Sequence, residues 1–235
     1  MQKQLVTTSD GSHSIFIAEL DEHYHSVHGA IRESKHVFIE AGLKFVLNLP
    51  SPPDSYRDGE GQGVRLLEVG LGTGLNCFLT FLHNGEGMGE RSIEYTAIEA
   101  YPLEEDVVKR LNYPEQLNAR KFKNIFFDIH KSAWNRKVEL ADDFILKKIN
   151  DKFQDINFDE KYDLVYFDAF APRVQPEMWT NKIFEKIYDS MNKDAVLVTY
   201  CAKGEVKRTL KTVGFEVETL QGPPGKREMI RVRKR

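Results

Sequence analysis

The sequence predicts an α/β domain with a mainly parallel, seven-stranded sheet whose last strand is antiparallel, preceded by a small β-hairpin-and-helix extension. Three features carry this reading. From Val64 onward, short apolar runs alternate with helix-length amphipathic segments, the pattern of successive βαβ units. The first run ends in a turn with glycines at 70, 72 and 74, where a strand turns sharply into a helix beside a ligand. The last two runs are joined only by Gln221-Gly222-Pro223-Pro224-Gly225, too short for a crossover and suited to a hairpin.

Residues 1–63 read as the extension and 64–235 as the main domain. In the extension, a turn at Asp10-Gly11 precedes the apolar Ser14-Ile15-Phe16-Ile17, and a helix runs from Glu33 to Ala41 and stops at Gly42. Pro50-Ser51-Pro52-Pro53-Asp54 and the glycines at 59, 61 and 63 mark the boundary. The strands then follow as runs beginning near Val64, Tyr95, Val138, Tyr162, Ala195, Phe215 and Met229. The stretch from Arg110 to Lys137 mixes aromatic and basic residues and reads as an insertion.

A chain of 235 residues with 41% apolar side chains buries an ordinary core without staples. Cys77 and Cys201 lie far apart and form no Cys-x-x-Cys pair, so neither a disulfide framework nor a zinc site is indicated. The start carries no signal-peptide run, and no stretch approaches the roughly 18 apolar residues of a membrane span; the expectation is a cytoplasmic protein with no membrane partner. The net charge of −3 argues against a nonspecific nucleic-acid coat, but from Cys201 onward ten Lys or Arg face four Asp or Glu. That basic end suits either a polyanion or a solvated edge strand.

The stretch from Leu66 to Asn76 is the most informative. A dinucleotide fingerprint would place a glycine at position 75, which is Leu. Glu68-x-Gly70-x-Gly72-x-Gly74 instead resembles the first motif of Rossmann-like class I S-adenosylmethionine methyltransferases, in which the acid helps to anchor the methionyl end. Glu99 ends the second strand, where a carboxylate accepts hydrogen bonds from both ribose hydroxyls of an adenosyl group. Asp142, after the Val138 run, occupies the position of an acid near the adenine amino group. The cofactor set is therefore Glu68, Gly70, Gly72, Gly74, Asn76, Glu99 and Asp142.

The fourth strand, Tyr162 to Phe167, ends in Asp168-Ala169-Phe170-Ala171-Pro172. Its tip lies beside the glycine turn across the topological switch point, so Asp168 faces the place where chemistry occurs. An amine acceptor must be deprotonated and aligned there, which Asp168 can do while Phe170 and Pro172 wall the acceptor.

Together with these motifs, Tyr24-His25-Ser26, Glu33 to Phe38, Pro176-Glu177-Met178-Trp179-Thr180 and Gly225-Lys226-Arg227-Glu228-Met229 resemble, in order, the MnmC-type tRNA methyltransferase domain. The resemblance implies methylation of the aminomethyl group of 5-aminomethyl-(2-thio)uridine at the tRNA wobble position. It implies Asp168 as the catalytic carboxylate, with Tyr24, Glu33, Lys226 and Arg227 on the substrate side. Two-domain members add a flavin-dependent oxidase, absent from this sequence, so the expectation is methylation alone, without flavin, on a substrate from an upstream enzyme. A methyltransferase of the same fold acting on another amine is the competing reading. His23, His25 and His28 lack supporting ligand spacing, so no metal is expected. Trp179 reads as core, and Lys203, Lys207, Arg208, Lys226, Arg227 and Arg231 as cations able to meet phosphate.

Overall fold

The computed structural model describes residues 2–49, 63–85 and 91–235; the breaker-rich loop at 50–62 lies outside them. In the extension, β1 (Lys3–Thr7) and β2 (His13–Ile17) form the expected antiparallel hairpin, with β3 (Glu22–His23) added to β2. The turn is tied by the Asp10 carboxylate, which accepts the Ser12 and Arg32 backbone N–H groups.

The helix that follows does not stop at Gly42. It begins as α1 (Ala30–Ser34), widens into π-helical turns over Lys35–Leu43 and ends as α2 (Lys44–Leu47). Gly42 has another role: a Cβ there would lie 3.0 Å from Val198 Cγ2 and 3.2 Å from Tyr166 Cε1. The missing side chain lets the helix backbone press onto the main sheet, and Val37, Phe38 and Leu43 join that sheet's core.

The main sheet is built from β4 (Val64–Val69), β5 (Ile93–Ile98), β6 (Lys137–Ala141), β7 (Phe144–Ile149), β8 (Tyr162–Phe167), β9 (Met191–Thr199), β10 (Glu216–Gln221) and β11 (Glu228–Arg233). Their order is β10-β11-β9-β8-β4-β5-β7-β6. The central five strands are parallel, and β11 is antiparallel to both β9 and β10. The sheet thus has eight strands rather than seven, because the Val138 run is an antiparallel edge strand and β7 takes the parallel place beside β5. Burial decides this assignment. Every second side chain of β7 is buried, as an inner strand requires, while none of β6 is.

Helices cover both faces: α3 (Leu75–His83), α4 (Glu105–Val108), α5 (Tyr113–Gln116) and α6 (Lys123–Lys131) follow in the first half, α7 (Asn181–Ser190) and α8 (Gly204–Val213) in the second. Phe126 and Ile129 of α6 are fully buried in the same core as α3, so the stretch read as an insertion is the packed crossover between β5 and the β6–β7 pair. Along β8, Leu164 and Tyr166 face that core, while Val165 and Phe167 face a second one under α7 and α8. No helix among the described residues is long and apolar enough to cross a membrane.

Candidate active site

The chain leaves β4 for β5 on one side and later returns to β8 on the other, so a crevice opens where the carboxyl ends of β4 and β8 diverge. There the structure holds a cavity of about 770 Å³, walled by Gly70–Gly72, Glu99–Tyr101, residues 151–154 and Asp168–Ala171. Tyr24 to Val27 of the extension line it too, as do Glu33, Tyr200 and Lys226.

The glycine turn is held open from beneath. Gly70, Gly72 and Gly74 have φ of +93°, +50° and +71°, and a Cβ on Gly74 would lie 2.7 Å from His130 Nε2. His130 Nε2 meets the Thr73 carbonyl at 3.1 Å, and His25 Nε2 meets the Thr73 hydroxyl at 2.7 Å. Burial lowers both imidazoles to about 4, so they brace the turn as neutral groups. Glu99, half-buried at the tip of β5, accepts the Gly72 N–H at 2.9 Å and the Tyr101 N–H at 2.8 Å.

Asp168 starts the loop after β8, its backbone N–H held by Val69 O. Burial first, then the nearby Glu33 charge, raises its carboxyl to about 7, against the lowering effects of an Asn76 hydrogen bond and the Lys226 charge. Asn76 Nδ2 reaches Asp168 Oδ2 at 2.9 Å and Glu68 Oε1 at 3.0 Å. Glu68 is completely buried, and desolvation followed by the Asp168 charge pushes its carboxyl well above the usual range. Across the cavity, Lys226 Nζ lies 2.5 Å from the buried Glu33 Oε1 and 3.8 Å from the centre of the Tyr200 ring. Glu33 Oε2 also accepts the Ser26 N–H. Tyr24 meets Phe170 edge-on at 5.2 Å, and burial followed by the Glu99 charge raises its phenol.

Of the residues singled out in the sequence, Gly70, Gly72, Glu99, Asp168, Tyr24, Glu33, Phe170 and Lys226 thus converge on one cavity. Others do not. Asp142 occupies the β6–β7 turn, whose neighbour Asp143 bonds the N–H that opens β5, so it lies at the far end of the sheet. The acid at the tip of the true third strand is Asp151, followed by Lys152, Phe153 and Gln154 on the cavity wall. Glu68 and Asn76 lie behind Asp168 rather than on the wall, and Pro172 is off it as well. Arg227 is exposed and outside the cavity. Trp179 is core: it packs edge-on against Phe167, and its Nε1–H holds the Phe170 carbonyl at 2.8 Å. Both cysteines are buried and free.

The basic tail is mostly engaged within the fold. Lys226 pairs with Glu33, Lys207 with Glu228, Arg233 with Asp194 and Arg235 with Glu216. Arg231 bonds Glu218 and lies 3.6 Å over the Phe45 ring. Tyr200 and Arg173, which hydrogen-bonds Asp21 O and pairs with Glu22, line the cavity without any signal in the sequence. Asp151 carries no clear sequence signal either, because Phe144 to Ile149 alternates in burial and not in residue type, with Lys148 among its buried positions.

The wall fits S-adenosylmethionine. Glycine backbone on the cavity wall gives close access to a ligand, and Glu99, whose carboxylate accepts backbone N–H groups alone among the described residues, keeps acceptor capacity for ligand hydroxyls.

A family model described as S-adenosyl-L-methionine-dependent methyltransferase matches residues 108–235. The chain is 27% identical over 225 residues to the tRNA 5-methylaminomethyl-2-thiouridine biosynthesis bifunctional protein MnmC of Pseudoalteromonas atlantica, covering 89% of this chain and 30% of that protein. It is 26% identical over 224 residues to the MnmC protein of Leptospira interrogans, covering 90% and 32%. It therefore spans about a third of the length of these curated relatives. Among solved structures, MnmC2 from Aquifex aeolicus is similar with a TM-score of 0.74 at 23% identity, over 98% of this chain and 70% of that one. Spermidine synthase from Thermotoga maritima is similar with a TM-score of 0.58 at 10% identity, over 99% and 68%. These two likenesses speak to the fold.

Proposed function

Since this chain belongs to the S-adenosyl-L-methionine-dependent methyltransferase family, we propose that it methylates a primary amine, the aminomethyl group of 5-aminomethyl-(2-thio)uridine at the tRNA wobble position. The observation that carries the amine is Asp168, a carboxyl raised to about 7 on the cavity wall beside the Glu33–Lys226 pair. The curated relatives, named for 5-methylaminomethyl-2-thiouridine biosynthesis, support the choice of acceptor. The reading makes the protein cytoplasmic and leaves the aminomethyl group to an upstream enzyme.

S-adenosylmethionine supplies an electrophilic methyl group. Gly70 to Gly72 would hold its amino-acid end, Glu99 its ribose, and residues 151–154 would flank its base. A primary ammonium has no lone pair, so the acceptor must lose a proton in place. Asp168 orients the ammonium and takes that proton; a carboxyl poised near neutrality is matched to the task. Tyr24 and Phe170 form an aromatic wall that excludes water and fixes the approach of the nitrogen.

The test is methyl transfer to tRNA bearing 5-aminomethyl-2-thiouridine, read by mass spectrometry of its nucleosides. The wild-type protein should form the methylated nucleoside, and Asp168→Asn should lower kcat by about 10²–10⁴-fold with little change in cofactor affinity. Methylation of a small amine or a protein, with tRNA untouched, would move the assignment to the other amine class.

A further inference from the structure

We propose that Asn76 is a positioning residue for the acceptor-side carboxylate: its amide nitrogen ties Asp168 Oδ2 to Glu68 Oε1 and leaves Asp168 Oδ1 as the oxygen that receives the acceptor's proton. This rests on the reading of Asp168 as the base and goes beyond it by assigning the atom and the group that fixes it.

The geometry is specific. Asn76 is 2% exposed, in the first turn of α3 directly after the glycine turn, and both of its Nδ2 hydrogens are used, at 2.9 Å and 3.0 Å. The amide orientation follows from chemistry: turned over, Asn76 would set its carbonyl oxygen against two carboxyl oxygens. Among the described residues no hydrogen bond engages Asp168 Oδ1, while Oδ2 is held. An ordinary solvated aspartate rotates freely about its terminal torsion. Here one oxygen is fixed inward, so the other is directed to the cavity that Asp168 lines.

The same link divides the protons between the two acids. Glu68 has no contact with water, and its burial outweighs the Tyr95 and Asn76 hydrogen bonds that favour its charged form, so ionising it is the costlier choice. Glu68 therefore keeps its proton and Asp168 carries the charge. The groups that face Asp168 are Glu68 from β4, Glu33 from α1, Lys226 from the β10–β11 loop and Tyr200 from the end of β9. Asn76 is a hydrogen-bond donor to Asp168 that cannot itself titrate. In the step, the ammonium N–H bond breaks, its electron pair stays on nitrogen and the proton forms an O–H bond at Oδ1. Nothing is oxidised or reduced.

The experiment is the pH profile of kcat/KM on the aminomethyl-bearing tRNA for the wild type, Asp168→Asn, Asn76→Leu and Asn76→Ser, with S-adenosylmethionine binding measured by calorimetry. The wild type should show an acid limb near pH 7 that Asp168→Asn lacks. Leucine has no donor and the single, shorter serine hydroxyl cannot span both acids, so both Asn76 variants lose the amide that stabilises the carboxylate and should move the limb up by about one pH unit. They should also lower kcat by roughly 10–100-fold through a freed rotamer. Cofactor affinity should stay within about threefold, because Asn76 is not on the cavity wall. The serine variant serves if the leucine variant does not fold. Lower kcat with an unmoved limb would reduce Asn76 to a structural part and overturn the proposal, as would unchanged kinetics. If Asp168→Asn kept the wild-type limb, the base assignment itself would fall, a result visible without any Asn76 variant.

Discussion

Asp168→Asn should make the protein more stable at pH 8 while removing its activity. A carboxyl raised in the folded state from about 3.8 to about 7 favours folding while it is protonated, and that contribution disappears as the pH rises through about 7. Above that, the native state holds a carboxylate that the unfolded chain would solvate better. At about 1.36 kcal/mol per pH unit, the rise corresponds to about 4 kcal/mol, and solvent access at this half-buried group reduces it to about 2. Asparagine is neutral at every pH and still offers an oxygen to Asn76. The variant's advantage over wild type should therefore be near zero at pH 4, grow through pH 6 and level off above pH 7.5. For 235 residues, about 2 kcal/mol corresponds to roughly 4–8 °C in Tm. Urea unfolding at a series of pH values measures it directly, with m-values checked for constancy. A variant no more stable than wild type at pH 8, or an advantage independent of pH, would refute the claim that burial and Glu33 strain this carboxylate.

Two further perturbations test the surrounding structure. Lys226→Met leaves Glu33, whose side chain is 8% exposed, without its cation; discounted for a lysine that is 32% exposed, the cost should be about 1–3 kcal/mol by chemical denaturation. Adding Glu33→Gln should recover at least about 1 kcal/mol of that loss, whereas strict additivity would mean that the pair carries no coupling. Gly42→Ala sets a helix-propensity gain of about 1 kcal/mol against contacts of 3.0 and 3.2 Å with Val198 and Tyr166. A net loss of about 1 kcal/mol in urea is expected, and a gain would mean that the helix does not press on the sheet as described.

The glycine-turn side of the cavity was legible because strand, turn and helix are contiguous: Gly70 and Gly72 lie in one local run, and Glu99 ends the next apolar strand. The third strand was misassigned because Val138-Glu139-Leu140 and Phe144 to Ile149 are both strands, and only burial separates the edge strand from the inner one. Gly42 read as a stop because a glycine after an amphipathic stretch usually ends a helix; close approach to β8 and β9 is a tertiary fact that no local pattern carries. The basic tail misled for a related reason. Charge counts do not reveal that Arg231 bonds Glu218 across the β10–β11 hairpin and covers Phe45, whereas Arg208, Lys211 and Arg227 have no acidic partner among the described residues.

The acceptor side was only partly legible because it is assembled from segments far apart in the chain. Glu33 comes from the extension, Asp168 from the tip of β8, Tyr200 from the end of β9 and Lys226 from the β10–β11 loop. What holds them in register is the helix that starts at Ala30. One end carries Glu33 into the cavity, and the other rides on β8 and β9 at Gly42. The Glu33–Lys226 bond then ties this helix to the last hairpin, and Tyr24 rests against Phe170 of the loop after β8. The extension is thus a wall of the cavity rather than an appendage. The parallel sheet supplies Gly70 to Gly72, Glu99 and Asp168, and the extension closes the cavity over them with Tyr24 and Glu33.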